Sequence, residues 1–212
     1  MKKKILDIFI WLIGLIILIT IILIAIKYGG NMVNEQEMSS IVEQIKTIDL
    51  EKEKQEDQSL PNEGSNIETE NIKENVTEIE IDGYKVLGII RIPKIGLEYP
   101  ILSETTNKSM KKSITKFWGP ELNQIGNLTL AGHNNHDGTM FGKVKKLEIG
   151  DIIEIEDLYK NVVKYKIFDM YVTDPNDVSC VVSVDPDSRE VTLITCTNGN
   201  KNRLITKARE II

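Results

Sequence analysis

Val191-Thr192-Leu193-Ile194-Thr195-Cys196 leads into the polar loop Thr197-Asn198-Gly199-Asn200-Lys201-Asn202, and the chain resumes as Arg203-Leu204-Ile205-Thr206-Lys207-Ala208. β-Branched and aliphatic residues on both sides of an Asn/Gly-rich turn specify two antiparallel strands joined as a hairpin. If that hairpin is symmetric about its loop, Cys196 and Arg203 face each other. Directly opposed residues point to the same side of a sheet, with Cβ atoms about 4.5–5.5 Å apart. A guanidinium there can stabilise negative charge on a neighbouring sulfur, or give its fork of N–H donors to a substrate oxygen that gains charge during a reaction. A packed thiol beside a surface arginine is the structural alternative.

Working outward, the same texture recurs upstream. Short β-type runs separated by Gly, Pro and Asn cover Tyr84–Ile92, Tyr99–Ile101, Asn127–Ala131, Ile152–Ile155, Val162–Val172, Val191–Cys196 and Leu204–Ala208. Asn107–Lys116 and Pro175–Val182 read as short helical pieces. Many strands and few helices over roughly 130 residues predict an antiparallel barrel or sandwich with one core. The strand Leu128-Thr129-Leu130-Ala131 runs into Gly132-His133-Asn134-Asn135-His136-Asp137. A histidine leaving a strand into such a loop can reach across a groove, and imidazole is the usual partner of a cysteine nucleophile. His133, His136 and Asp137 can also be read as metal ligands, although metal sites generally need three or four well-placed donors.

The chain has 212 residues and 41% hydrophobic content, but the apolar residues are unevenly spread. Ile8 to Ile26 is a run of 19 residues without a charge, enough for a helix to cross a hydrocarbon core of about 30 Å. Lys2, Lys3 and Lys4 precede it, Lys27 follows it, and no A-x-A cleavage pattern appears. That is the pattern of an uncleaved signal-anchor with its N-terminus in the cytoplasm and the rest outside. Residues 31–49 have helix-spaced apolar positions. Residues 51–80 carry ten acids against three lysines and few apolar residues, as a disordered linker would. The expected organisation is 1–30 basic start and anchor, 31–80 stalk and linker, and 81–212 catalytic domain. A net charge of −6 argues against a nucleic-acid partner. Cys180 and Cys196 are the two cysteines. A disulfide between them is the structural reading, but a lone pair is a weak framework for an extracellular domain.

Taken together, these residues resemble the sortase family. Thr192-Leu193-Ile194-Thr195-Cys196 matches its T-L-x-T-C strand, Arg203 follows shortly after, and Gly132-His133 supplies the upstream histidine. Leu87-Gly88-Ile89-Ile90-Arg91-Ile92-Pro93, Leu97-Glu98-Tyr99-Pro100, Met140-Phe141-Gly142 and Leu147-Glu148-Ile149-Gly150-Asp151 occur in the expected order. The resemblance covers roughly residues 80 to 212 and implies an eight-stranded β-barrel. It also implies a cysteine transpeptidase with Cys196 as nucleophile, His133 as acid and base, and Arg203 as oxyanion stabiliser. The implied partners are secreted proteins bearing a C-terminal sorting signal and an amine acceptor from a peptidoglycan precursor or a pilin. No cofactor is expected, and the ligand count around His133 and His136 argues against a metal. The absence of an Asp-Pro-aromatic lid motif in residues 31–80 and the short stretch from Val172 to Val191 resemble a compact class D or class A member. Cys180 matches no motif and is expected to be a dispensable packed residue. A hydrolytic cysteine peptidase and a non-catalytic surface-binding module are the alternatives.

Overall fold

In the computed structural model the described residues are 2–48 and 77–211. Most of the acidic stretch read as a linker therefore lies outside the described residues. One helix, α1 (Lys2–Thr47), spans both the apolar run and the segment read as a stalk. Among the described residues no helix is long and apolar enough to cross a membrane. The chain divides into two compact units, Met1–Ser40 and Ile41–Ile212.

In the second unit the strands are β1 (Ile79–Ile81), β2 (Tyr84–Ile92), β3 (Leu97–Leu102), β4 (Ile114–Trp118), β5 (Gly126–Ala131), β6 (Ile152–Asp157), β7 (Val162–Thr173), β8 (Arg189–Thr197) and β9 (Asn202–Glu210). Their order is β1-β2-β3-β4-β5-β8-β9-β7-β6, and β6 also pairs with β2. Eight strands, β2 to β9, thus close into a barrel, as the resemblance implies, with β1 added outside the ring as a hairpin on β2. Closure depends on Gly88: a Cβ there would lie 2.1 Å from the Glu156 carbonyl oxygen of β6, so no larger residue lets the two backbones meet.

Three readings change. The barrel expected to be antiparallel is mixed, with β3 and β4 parallel and β5 and β8 parallel. The helix expected over Asn107–Lys116 is only one turn, α2 (Asn107–Met110), started by a capping box between Thr106 and Ser109. The chain then extends into β4, where Ile114 and Thr115 are buried and pair in parallel with Ile101 and Leu102. Within Pro175–Val182 only Ser179–Val181 is helical, as a single 3₁₀ turn.

The long connection from β7 to β8 makes few backbone bonds of its own and is held by buried polar side chains from the barrel. Asn127 on β5 donates its amide to the carbonyls of Cys180 and Val181, each at 3.0 Å. Lys207 on β9 donates to the Val182 carbonyl at 2.9 Å. The Glu190 carboxylate on β8 accepts from the Ser183 hydroxyl, from the backbone N–H groups of Val184 and Asp185, and from Arg209 at 2.7 Å. Buried polar groups need such partners, and here they fix one wall of the functional groove. Burial disfavours the charged form of Glu190, but Arg209 and the loop donors outweigh it and hold the carboxyl below its ordinary pKa.

At the start of this unit the last turns of α1 bury Ile41, Val42 and Ile45. Lys46 pairs with Glu98 at 3.2 Å, Gln44 donates to Asp82 at 3.1 Å, and Lys160 donates to the Ile45 carbonyl.

A chain beginning at residue 81 lacks those three apolar side chains and should be less stable than one beginning at residue 41. The expected difference in unfolding free energy is on the order of several kcal/mol, and equal urea midpoints would contradict it. Glu190→Ala leaves the Ser183 hydroxyl and the Val184 and Asp185 N–H groups without their acceptor and should destabilise by about 1–3 kcal/mol. Because the native pKa of Glu190 is lowered, its contribution is complete above the ordinary carboxylate range and is lost as pH falls through the native value. Glu190→Gln should accordingly flatten the acid limb of a stability–pH curve measured by denaturant unfolding.

Candidate active site

β8 lies between β5 and β9, and that placement assembles the site. β8 and β9 are antiparallel, with Cys196 directly opposite Arg203, the register expected from the symmetry of the hairpin loop. β5 and β8 are parallel, from Gly126 opposite Arg189 to Ala131 opposite Ile194. Carried two residues further, that register brings His133 alongside Cys196. His133, two residues past the end of β5, Cys196 on β8 and Arg203 on β9 therefore lie at one end of the barrel. All three are partly exposed and line one groove of about 380 Å³.

The groove is mostly apolar in its lining. Met110, Phe117, Ala131, Val178, Ile194 and Ile205 contribute, together with Asp177 and Cys180. Of these wall residues only Ala131, Ile194 and Ile205 belong to strand segments the sequence singles out around the site. The rest arrive from α2, β4 and the β7–β8 connection, and no local signal marks them.

The loop carrying His133 is tightly built. The Phe141 N–H donates to the His133 carbonyl at 2.9 Å, and Asn134 forms an isolated antiparallel bridge with Met140. Met140 has φ 48°, uncommon for a side chain of its size, and its N–H is taken by the Tyr99 hydroxyl at 3.0 Å. At Gly132 a Cβ would lie 2.8 Å from the Phe141 ring, so the residue before the histidine has to be small. Asp137 turns its carboxylate onto the Thr139 N–H and hydroxyl at 3.0 and 2.7 Å. His136 is exposed and is not among the residues lining the groove.

Arg203 is tethered through Nη1 to the carbonyls of Asn200 and Asn202 at 3.3 and 3.2 Å. Thr195, next to the cysteine, donates to the Gly132 carbonyl at 2.8 Å and ties the two strands together. Across the groove, Asp177 stays ionised. Hydrogen bonds from Ser179 and from the Thr173 hydroxyl pull its pKa down to about 2.

Both cysteines are free thiols. Cys180 is packed, at 2% exposure, as the sequence suggests, yet it also lines the groove. Burial pushes its thiol pKa up, and Asp177 adds to the rise. Brief treatment of the native protein with iodoacetamide should therefore label Cys196 well ahead of Cys180, with Cys180 reacting fully only after denaturation. Peptide mapping by mass spectrometry checks this, and equal labelling of the two in the native state would contradict it.

Comparison with known proteins bears on this arrangement. A sequence model described as the sortase domain matches residues 90–211, more than half of the chain. Sortase A of Bacillus anthracis is 29% identical over 169 residues, which cover 79% of this chain and 77% of that protein. A Clostridium perfringens sortase D5 transpeptidase superposes with a TM-score of 0.54 at 32% identity, over 60% of this chain and 79% of that one. A Clostridium perfringens sortase C, solved with the C-terminal cell wall sorting motif, gives a TM-score of 0.53 at 26% identity over 60% and 71% of the two chains. The strand order, the placement of the cysteine and arginine across one hairpin, and these matches lead to one conclusion: this chain belongs to the sortase family.

Proposed function

We propose that the protein is a membrane-anchored cysteine transpeptidase that cleaves the C-terminal sorting signal of secreted proteins and passes the acyl group to an amine. The observation that carries this reading is the position of Cys196 directly opposite Arg203 and alongside the His133 loop, in one groove.

In the first step the Cys196 thiol passes its proton to His133 and its sulfur attacks the scissile carbonyl. The carbon–nitrogen bond breaks, His133 gives a proton to the departing amine, and a thioester is left on Cys196. In the second step an amine from a peptidoglycan precursor or a pilin attacks the thioester. His133 takes the proton from that amine, the carbon–sulfur bond breaks and the cysteine is regenerated. Arg203 supports both steps: with Nη1 tied to loop carbonyls, its remaining N–H donors are available to the carbonyl oxygen as charge builds on it. The apolar lining suits a peptide segment that leaves water on binding. The uncharged run Ile8–Ile26 and its lysine flanks support an anchor with the N-terminus inside, and residues 81–212 would then act outside the cell. The short stretch from Val172 to Val191 and the absence of an Asp-Pro-aromatic motif in residues 31–80 support a compact class A or class D enzyme.

Incubation of the full-length chain with a panel of sorting-signal peptides, followed by mass spectrometry, should reveal an acyl adduct on Cys196 that an added amine converts to a ligated product. Cys196→Ala should abolish the adduct, and Cys180→Ala should keep most activity. Hydrolysis that an amine does not divert would support a peptidase instead. Arg203→Lys retains the charge but loses the planar fork of donors. Turnover should fall on the order of a hundredfold while the rate of Cys196 alkylation changes little, and near wild-type cleavage by this variant would contradict the oxyanion role.

A further inference from the structure

Beyond Ala131 and Ile194 the β5–β8 ladder changes character. The Gly132 N–H still donates to the Ile194 carbonyl at 3.2 Å. After that rung, side chains take over: the Thr195 hydroxyl donates to the Gly132 carbonyl at 2.8 Å, and the Asn134 amide donates to the Cys196 carbonyl at 2.7 Å. In a parallel ladder continuing the same register, the Cys196 carbonyl would receive the backbone N–H of Asn134. Asn134 thus fills with its side chain the place its own backbone would occupy. A rung made by a side chain is longer than a backbone rung by the reach of that side chain, so it can join two strand ends at more than ladder spacing.

This rung lies next to His133, the residue before Asn134. Its carbonyl is bonded to Phe141, and Asn134 itself bridges Met140, so the histidine is held from the loop side by backbone and from the cysteine side by the Asn134 amide. We infer that Asn134 is a positioning residue that sets the gap between His133 and Cys196 into which the scissile carbonyl fits. The inference rests on the Cys196–His133 chemistry proposed above. A regular backbone rung would close the strands to ordinary sheet spacing of about 4.8 Å and leave no room for a substrate group between them. A missing rung would leave the histidine loop without its tie to the cysteine strand. Displacements on the order of 1 Å cost up to a hundredfold in rate.

The test uses the full-length chain carrying Asn134→Ala or Asn134→Asp, with a fluorogenic sorting-signal peptide as substrate at neutral pH. For Asn134→Ala, kcat should fall on the order of tenfold to a hundredfold with KM nearly unchanged. The aspartate is close in shape, but when ionised it can only accept hydrogen bonds and sets its charge against the Cys196 carbonyl. It should therefore be slower than alanine. Both losses should persist well below the melting temperature. A wild-type kcat in Asn134→Ala, a loss carried wholly by KM, a loss that vanishes on cooling, or an aspartate variant as active as wild type would each overturn the inference. Cys196→Ala run in parallel separates the two claims. Cleavage by that variant would defeat the nucleophile assignment, whereas an inactive Cys196→Ala beside fully active Asn134 variants would defeat only the role of Asn134.

Discussion

The parallel pairing of β5 with β8 is the constraint on which the site depends. Parallel neighbours cannot be joined by a tight turn, so everything from Gly132 to Ser188, including β6, β7 and the 3₁₀ turn at Ser179–Val181, is the crossover that lets β8 return beside β5. Because β8 also pairs with β9, one strand fixes two registers at once: Ala131 with Ile194 on one side and Cys196 with Arg203 on the other. A slip of one residue in either pairing would turn the affected side chains to the opposite face of the sheet. Backbone pairing thus sets Cys196 against Arg203 and brings the end of β5, from which His133 follows, beside the cysteine strand.

The crossover supplies the rest of the groove, which explains the polar side chains buried beneath it. Asn127, Glu190 and Lys207 come from β5, β8 and β9, the strands that carry or adjoin the site residues, and all three bond to the backbone of residues 180–185. Each ties the wall to the strand system that sets the register. An apolar residue at these positions would leave loop carbonyls or N–H groups without partners. Asp177, Val178 and Cys180 line the groove because their connection is anchored in this way.

Much of this was legible in the sequence, for identifiable reasons. The Cys196–Arg203 pairing followed from equal strand ends around an Asn/Gly loop, because hairpin register is local. The alternating strands and the family motifs gave the eight-stranded barrel, and Tyr84–Ile92 was placed at its observed bounds. β4 was missed because lysines and serines dominate the residues before it and only its first two residues, Ile114 and Thr115, are buried. β1 has only three residues and escapes any periodicity. The entry of Cys180 into the groove and the bond from Asn134 to Cys196 both depend on the crossover, and neither leaves a mark in local composition. His133 could be named, but the device that spaces it from Cys196 could not, since an asparagine in a loop ordinarily signals a turn.

The central claim is that the reacting carbonyl lies between His133 and Arg203 when bonded to Cys196. A crystal structure of the full chain trapped as its Cys196 thioester with a sorting-signal peptide tests it most directly. The account predicts the thioester carbonyl oxygen at about 2.7–3.1 Å from a guanidinium nitrogen of Arg203, with the face open to the incoming amine turned toward His133. A carbonyl oxygen directed away from Arg203, or an acyl group carried by Cys180, would contradict it.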